Sequence, residues 1–246
     1  MAYITEYSEL GPKERRQLKY KRQYKADRPE WEDSMERLKI ELAKRLPPDA
    51  DVLDAGCGRA NYVLDELAGF WGRKVGIDVA EEHTTGNTSV NEIVFGTLDD
   101  LPFEQQMFDV VVSLWVLEHI SCSGKEFAEI ARVLKPGGLF GFTTPNKKSA
   151  LILLRRMMSD SLAEQLVYRI YGREEADTFP VKYEANSLSD LWRLAAQHGF
   201  AVEYLAENTD PSYTSFDPVS YAVSKRFSQL PSSLARPHIV GVLRRL

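Results

Sequence analysis

The sequence predicts an α/β fold: a doubly wound sheet of about seven strands, parallel except for an antiparallel last strand. Three observations carry this expectation. From residue 51 onward, short and nearly continuous apolar runs alternate with helical stretches, as strands covered by helices on both faces do. The 246 residues, 43% hydrophobic and 27% charged, are enough for one large core. Gly56 and Gly58 fall where the first strand would turn into the first helix of the alternation, a place where backbone must bend sharply and approach a ligand closely.

The elements follow in chain order. Lys13 to Lys25 holds seven basic residues (Lys13, Arg15, Arg16, Lys19, Lys21, Arg22, Lys25) against Glu14. Tyr20 and Tyr24 share one face of that helix. It reads either as a solvated helix or as an arm that contacts an anionic ligand. A second helix is expected from Pro29, with Glu30, Glu32 and Asp33 at its positive end. Trp31, Met35, Leu38 and Leu42 form its apolar stripe, and Pro47-Pro48 ends it. Residues 1–50 therefore read as a helical arm, and 51–246 as the core domain. The expected strands are DVLDAG, KVGID, EIVFG, FDVVVSLWVL, LFGFTTP, AVEYLAE and HIVGVLRRL, with helices at about 61–70, 125–134 and 187–200. Two insertions, about 147–186 and about 208–237, leave strands five and six at their carboxyl ends, the edge where open α/β sheets bind ligands. The apolar residues Leu151 to Leu154, Met157, Met158, Leu162, Leu166 and Ile170, flanked by Arg155, Arg156 and Arg169, read as a helical pair in the first insertion.

Composition narrows the function. A net charge of −5 and a pI near 5.5 argue against a general nucleic-acid binder. No run approaches the roughly 18 apolar residues of a membrane helix, and Met1 to Lys25 has no apolar signal core. Two cysteines and four histidines, without H-x-x-x-H or C-x-x-C spacing, argue against a disulfide scaffold and against a metal site. A reducing cytoplasm is the expected setting.

The chemical signal begins at Val52-Leu53-Asp54-Ala55-Gly56-Cys57-Gly58-Arg59-Ala60, where Asp54 can order the glycine loop by accepting hydrogen bonds. Asp78 ends the second strand, 20 residues beyond Gly58. A carboxylate there can accept both hydroxyls of a ribose, or it can cap the next helix.

With VLDAGCGRA, VGIDVA, GTLDDLPF, FDVVVSLWVLEHI and LKPGGLFGFTTPN in order over about residues 50–146, the chain resembles the class I S-adenosylmethionine-dependent methyltransferases. The resemblance is to the small-molecule type that includes the ubiquinone and sterol enzymes. It implies a Rossmann-like methyltransferase fold, S-adenosylmethionine as cofactor and S-adenosylhomocysteine as product. It places Gly56, Cys57 and Gly58, ordered by Asp54, at the methionine and ribose of the cofactor, Asp78 on the ribose hydroxyls and Val79 on the adenine. Leu98 offers its N–H to the ring. Thr97 stands where an acidic residue is usual, so Asp99 is assigned to the adenine amino group. Leu114 and Trp115 lie beside the methionine end. Ala60 replaces a third glycine, and the short polar stretch from Asp78 to Glu92 implies a reduced second helix.

On the acceptor side, His119 is a candidate general base, or else a residue that orders the methionine end. Tyr24, Asn146 and Tyr183 are candidate substrate ligands. Phe179, Pro180, Tyr213, Phe216 and Tyr221 suit either a pocket mouth or the cores of the insertions. The expected reaction is in-line O- or N-methylation of a small molecule, for which the arm's cations would suit an anionic acceptor. Two other readings compete. One is a non-catalytic cofactor-binding scaffold. The other is an NAD(P)-dependent oxidoreductase, favoured by the spacing of Tyr221 and Lys225 but opposed by Asn61 at the third glycine position of a dinucleotide loop. Monomer and homodimer are both open.

Overall fold

The computed structural model describes residues 11–157 and 180–246. Of the first insertion's run, Met158, Leu162, Leu166, Arg169 and Ile170 lie outside these residues, as does Phe179. One mixed sheet organises the described chain. Its strands are β1 (Ala50–Ala55), β2 (Trp71–Asp78), β3 (Glu92–Phe95), β4 (Phe108–Leu114), β5 (Leu134–Pro145), β6 (Phe200–Asn208) and β7 (His238–Arg245). They lie in the order β3-β2-β1-β4-β5-β7-β6. β7 runs antiparallel to both β5 and β6, and every other pairing is parallel. The order reverses direction between β1 and β4, so the β1 loop and the end of β4 face each other at the switch point where such sheets bind ligands.

Central strands carry apolar side chains on both faces, and each face packs its own core. One core joins Leu53, Ile77, Phe108, Phe140 and Phe142 to the helices α5 (Ser123–Val133) and α7 (Leu188–Gln197). The other joins Val52, Val110, Val240 and Val242 to α2 (Ser34–Ala43) and α3 (Tyr62–Glu66). Leu38 and Leu42 on α2 are wholly buried there, so this part of the arm is integral to the sheet's cover.

Several expected boundaries move. The first helix, α1 (Pro12–Asp27), stops before Pro29, and α2 starts at Ser34. Asp33 is the cap: its carboxylate accepts the N–H groups of Met35 and Glu36. Trp31 therefore leaves the helical stripe, and its indole N–H donates to the carbonyl of Thr209, 2.9 Å away. The helix expected over 61–70 is α3 followed by a 3-10 turn, Ala68–Phe70. β5 begins five residues early because Leu134 pairs with Phe108 before the 135–138 stretch bulges out. The helix after β2 is short as expected: α4 (Glu81–Thr84) has four residues. In the insertions the described helices are α6 (Ala150–Met157) and α8 (Pro218–Ser228).

Candidate active site

The glycine loop is held at both ends. The N–H groups of Gly56 and Cys57 both donate to the carbonyl of Ile77, at 2.9 and 3.0 Å. Gly56 has φ +81, and a Cβ there would come within 2.4 Å of the Val116 side chain, so only glycine lets the loop close against the segment after β4. Gly58, at φ +46, is the opposite case: a Cβ there would meet nothing within 4 Å, so the loop presents an open face.

Asp78 closes the cradle. Its Oδ2 accepts the N–H of Gly58 at 2.9 Å, and its Oδ1 accepts the N–H of Val79 at 2.8 Å. The Nδ1 of His83 lies 3.2 Å from the same Oδ1. Asn87 clasps the loop from outside, donating to the carbonyls of Cys57 and Gly58. Asp54 lies beneath, accepting from Asn61 Nδ2 at 2.8 Å through Oδ1, while Oδ2 is buried with no hydrogen-bond partner. Burial, reinforced by the charges of Asp78 and Asp65 and opposed by the Asn61 bond, raises the Asp54 carboxyl to about 7. Burial and the carboxylates of Asp54 and Asp78 push the Cys57 thiol up to about 12, which removes it as a nucleophile at neutral pH.

The residues assigned to the adenine side line the rim beyond Asp78. Val79 keeps half its surface exposed, and Thr97 and Asp99 are exposed. Leu98 packs against the core, which leaves its backbone at the surface turn where Thr97 bridges Asp100. At the other end, Trp115 takes up φ +60, a backbone conformation that costs a non-glycine residue about 1–2 kcal/mol. Its N–H donates to Thr143, and its ring meets the His238 ring edge-on, 4.7 Å between centroids.

The structure brings some of the acceptor candidates together. The chain returning from the first insertion docks on Glu118, whose carbonyl accepts the N–H groups of Lys182 and Tyr183. His119 Nδ1 lies 3.3 Å from the Pro180 carbonyl, and Tyr183 is within electrostatic reach of the Glu118 carboxylate. Burial and that carboxylate raise the Tyr183 hydroxyl above its ordinary pKa. Asn146 and Tyr24, the other expected substrate ligands, sit in packed surroundings. Asn146 is fully buried: its amide donates to Glu207 and to the Arg236 carbonyl, and its Oδ1 accepts from Lys148. Tyr24 is buried edge-on against Trp31, with its hydroxyl accepting from Ser228.

The arm's tyrosine face is likewise packed. Tyr20 stacks on Tyr221 at 5.0 Å, and both the Tyr221 hydroxyl and the Lys225 ammonium donate to Asp27. The spacing that suggested a dehydrogenase pair is thus an anchor for α1. Lys21 reaches Asp33 and Asp210 at 3.4 and 3.3 Å. Burial would lower its pKa, but those two carboxylates outweigh burial and raise it.

The site fits S-adenosylmethionine on its own chemistry. A buried carboxylate oxygen without a donor, an open glycine face and a rim carboxylate already gathering N–H groups suit a ligand that carries hydroxyls and a cation. A family model described as a methyltransferase domain matches residues 23–205. The chain belongs to the class I S-adenosylmethionine-dependent methyltransferases. This methyltransferase is 29% identical over 178 residues to a ubiquinone biosynthesis O-methyltransferase of Hydrogenovibrio crunogenus, covering 68% of the chain and 72% of that protein. It is 33% identical over 120 residues to a sterol 4-C-methyltransferase of Caenorhabditis elegans, covering 44% of the chain. The chain spans 36% to 40% of the length of four curated relatives, this sterol enzyme among them. Among solved structures it shares its fold with a geranyl diphosphate C-methyltransferase of Streptomyces coelicolor (TM-score 0.57, 16% identity, 86% of this chain and 77% of that one).

Sequence reasoning missed His83, Asn87 and Ser89 in this methyltransferase. Their one signal was a polar stretch too short for the expected helix, whose side chains instead tie the glycine loop down, Ser89 by accepting the N–H of Asn61. Asn61 was read only as the absence of a glycine, yet it caps α3 and holds Asp54. Among the described residues no helix is long and apolar enough to cross a membrane, and no group of three or more His, Cys, Asp or Glu could hold a metal ion.

Proposed function

We propose that this chain transfers the methyl group of S-adenosylmethionine to an oxygen or nitrogen nucleophile of a small molecule. The observation that carries the reading is the Asp78 carboxylate, which organises Gly58 and Val79 at the switch point of the sheet. Asp78 would hold the ribose hydroxyls, with Gly56, Cys57 and Gly58 along the methionine and ribose. Val79, Leu98 and Asp99 would serve the adenine, with Thr97 beside them, and Leu114 and Trp115 the methionine end. Asp54 would order the loop and offer its free oxygen to a donor of the cofactor. Bound S-adenosylmethionine supplies a methyl already activated on a sulfonium, so the protein's task is to align the acceptor, exclude water and move one proton. His119 is the group we assign to that proton. Donation from Nδ1 to the Pro180 carbonyl would fix the tautomer and leave Nε2 basic. Tyr183, on the same docked loop, would orient the acceptor.

Two of the relatives are named as a sterol 4-C-methyltransferase and a ubiquinone biosynthesis O-methyltransferase, and small, partly apolar acceptors would suit a site walled by Trp115 and Tyr213. In this reading residues 1–50 act as an arm covering the 51–246 catalytic domain, in a reducing cytoplasm consistent with two unpaired cysteines. The test is a methyl-transfer screen over metabolite pools read by mass shift. A product gaining one methyl supports the reading; labelling of RNA or protein alone overturns it.

A further inference from the structure

The start of α1 carries cations that the cofactor cleft does not use. The guanidinium carbon of Arg16 lies 4.6 Å from the centroid of the Phe216 ring. Its Nε and Nη2 atoms are sealed from solvent and find no hydrogen-bond partner among the described residues. Those two nitrogens form one edge of the planar fork, the edge that grips a carboxylate or phosphate through two parallel N–H···O bonds. Leaving it dry and unbonded is unfavourable, because each buried donor has given up water for nothing. Lys13 is one helical turn away, and its pKa falls to about 8, first through burial and then through the charge of Arg16.

Two nearby carboxylates are committed elsewhere. Glu14 accepts the N–H of Gly11 at the helix cap, and Asp217 accepts those of Val219 and Ser220 at the start of α8. A dry, unbonded fork is a poor arrangement for the protein alone and a good one for a bound anion. Phe216 backs the fork as an aromatic platform.

The same wall leads to the methyl end of the cleft. α1 packs along the 3-10 turn Pro211–Thr214. Within that turn the Tyr213 ring meets His238 at 5.2 Å, and His238 meets Trp115 at the end of β4. We propose that Arg16, with Lys13 beside it and Phe216 behind it, is an oxyanion site that holds the carboxylate or phosphate group of the methyl acceptor. The assignment rests on the methyl-acceptor reading above and adds the substrate class to it: a molecule with its nucleophile near Trp115 and its anion under the arm.

The full chain is titrated calorimetrically with inorganic phosphate and, separately, with acetate, as wild type, Arg16→Gln and Arg16→Lys. S-adenosylhomocysteine is titrated in parallel. The expected result is saturable binding of one probe to the wild type, with the tighter probe identifying phosphate or carboxylate. Arg16→Gln should weaken it at least about tenfold, and Arg16→Lys should fail to restore it, because a point charge does not replace the fork. S-adenosylhomocysteine affinity should not change. The Tm of Arg16→Gln without anion should equal or exceed that of the wild type, and the better probe should raise the Tm of the wild type alone. Equal probe affinity in wild type and Arg16→Gln, no saturable binding to the wild type, or an equal probe-induced Tm shift in both overturns the site. Loss of S-adenosylhomocysteine binding in every form, with Arg16-dependent probe binding retained, overturns the cofactor reading and leaves the oxyanion site standing.

Discussion

At the edge assigned to the cofactor Asp78 reaches back 20 residues to the N–H of Gly58; at the edge assigned to the acceptor Ser34 and His238 meet across 204. The first edge is assembled within two turns of the βαβ alternation, mostly by backbone groups that a few side chains hold in place. The second joins the arm to the far end of the chain. Trp31 bonds to Thr209, Tyr221 to Asp27 and Tyr24 to Ser228. The difference separates two tasks. Holding a fixed cofactor needs a local, rigid cradle, whereas enclosing an acceptor needs a wall built from distant segments.

Substitutions should affect the two edges separately. The largest effect is expected from Gly56→Ala, which imposes a side chain at φ +81 and within 2.4 Å of Val116. Strain and clash together should cost more than about 2 kcal/mol and abolish S-adenosylhomocysteine binding, as read by thermal unfolding and calorimetry. Tyr20→Ala attacks the other edge. Losing the stack on Tyr221 should cost about 3 kcal/mol, accelerate proteolysis of α1 and lower methyl transfer, with cofactor affinity nearly unchanged. Equal losses at both edges would mean that they are one unit.

His119→Gln should lower kcat by about 100-fold without altering S-adenosylhomocysteine affinity, and should remove a pH dependence from kcat. An unchanged kcat would leave His119 a merely structural neighbour of Pro180.

The smallest effect is a pH slope. Asp54, at about 7, is raised in the folded state, so the stability its neutral carboxyl contributes is full below about pH 4 and is lost as pH rises through 7. Burial, with Lys21 adding to it against the opposing Asp210 and Asp33, lowers His238 to about 4. Its contribution is therefore present above about pH 6.5 and is lost as pH falls through 4. The two slopes oppose each other between pH 4 and 6.5. Asp54→Asn removes one of them, so from pH 5 to 6 the wild type should lose about 1.4 kcal/mol relative to the variant, as measured by denaturant unfolding. Parallel curves would show that Asp54 ionises normally.

The glycine-loop edge was the legible one. Asp54, Gly56, Gly58 and Asp78 announced themselves because a tight strand-to-helix turn demands particular residues at particular spacings, and the strands were readable from continuous apolar runs. The acceptor edge was not, because its contacts depend on which distant helix lands where. Tyr20 and Tyr24 were placed on one face of α1, but nothing in sequence named Tyr221 and Trp31 as what that face meets. Asn146, expected as a ligand, follows β5, and its buried amide donates to Glu207 and to the Arg236 carbonyl, partners that no local spacing named. Pro29 suggested a helix start, but the carboxylate of Asp33 supplied the stronger cap four residues on.

Asp78 is the residue on which the cofactor assignment stands. Calorimetric titration of wild type and Asp78→Ala with S-adenosylhomocysteine tests it most directly, with unfolding curves confirming that both proteins are folded. The expected result is one site per wild-type chain and an affinity lower by about 1–3 kcal/mol, some ten- to hundredfold, in the variant. Equal affinity in two folded proteins would contradict the assignment of the ribose to Asp78.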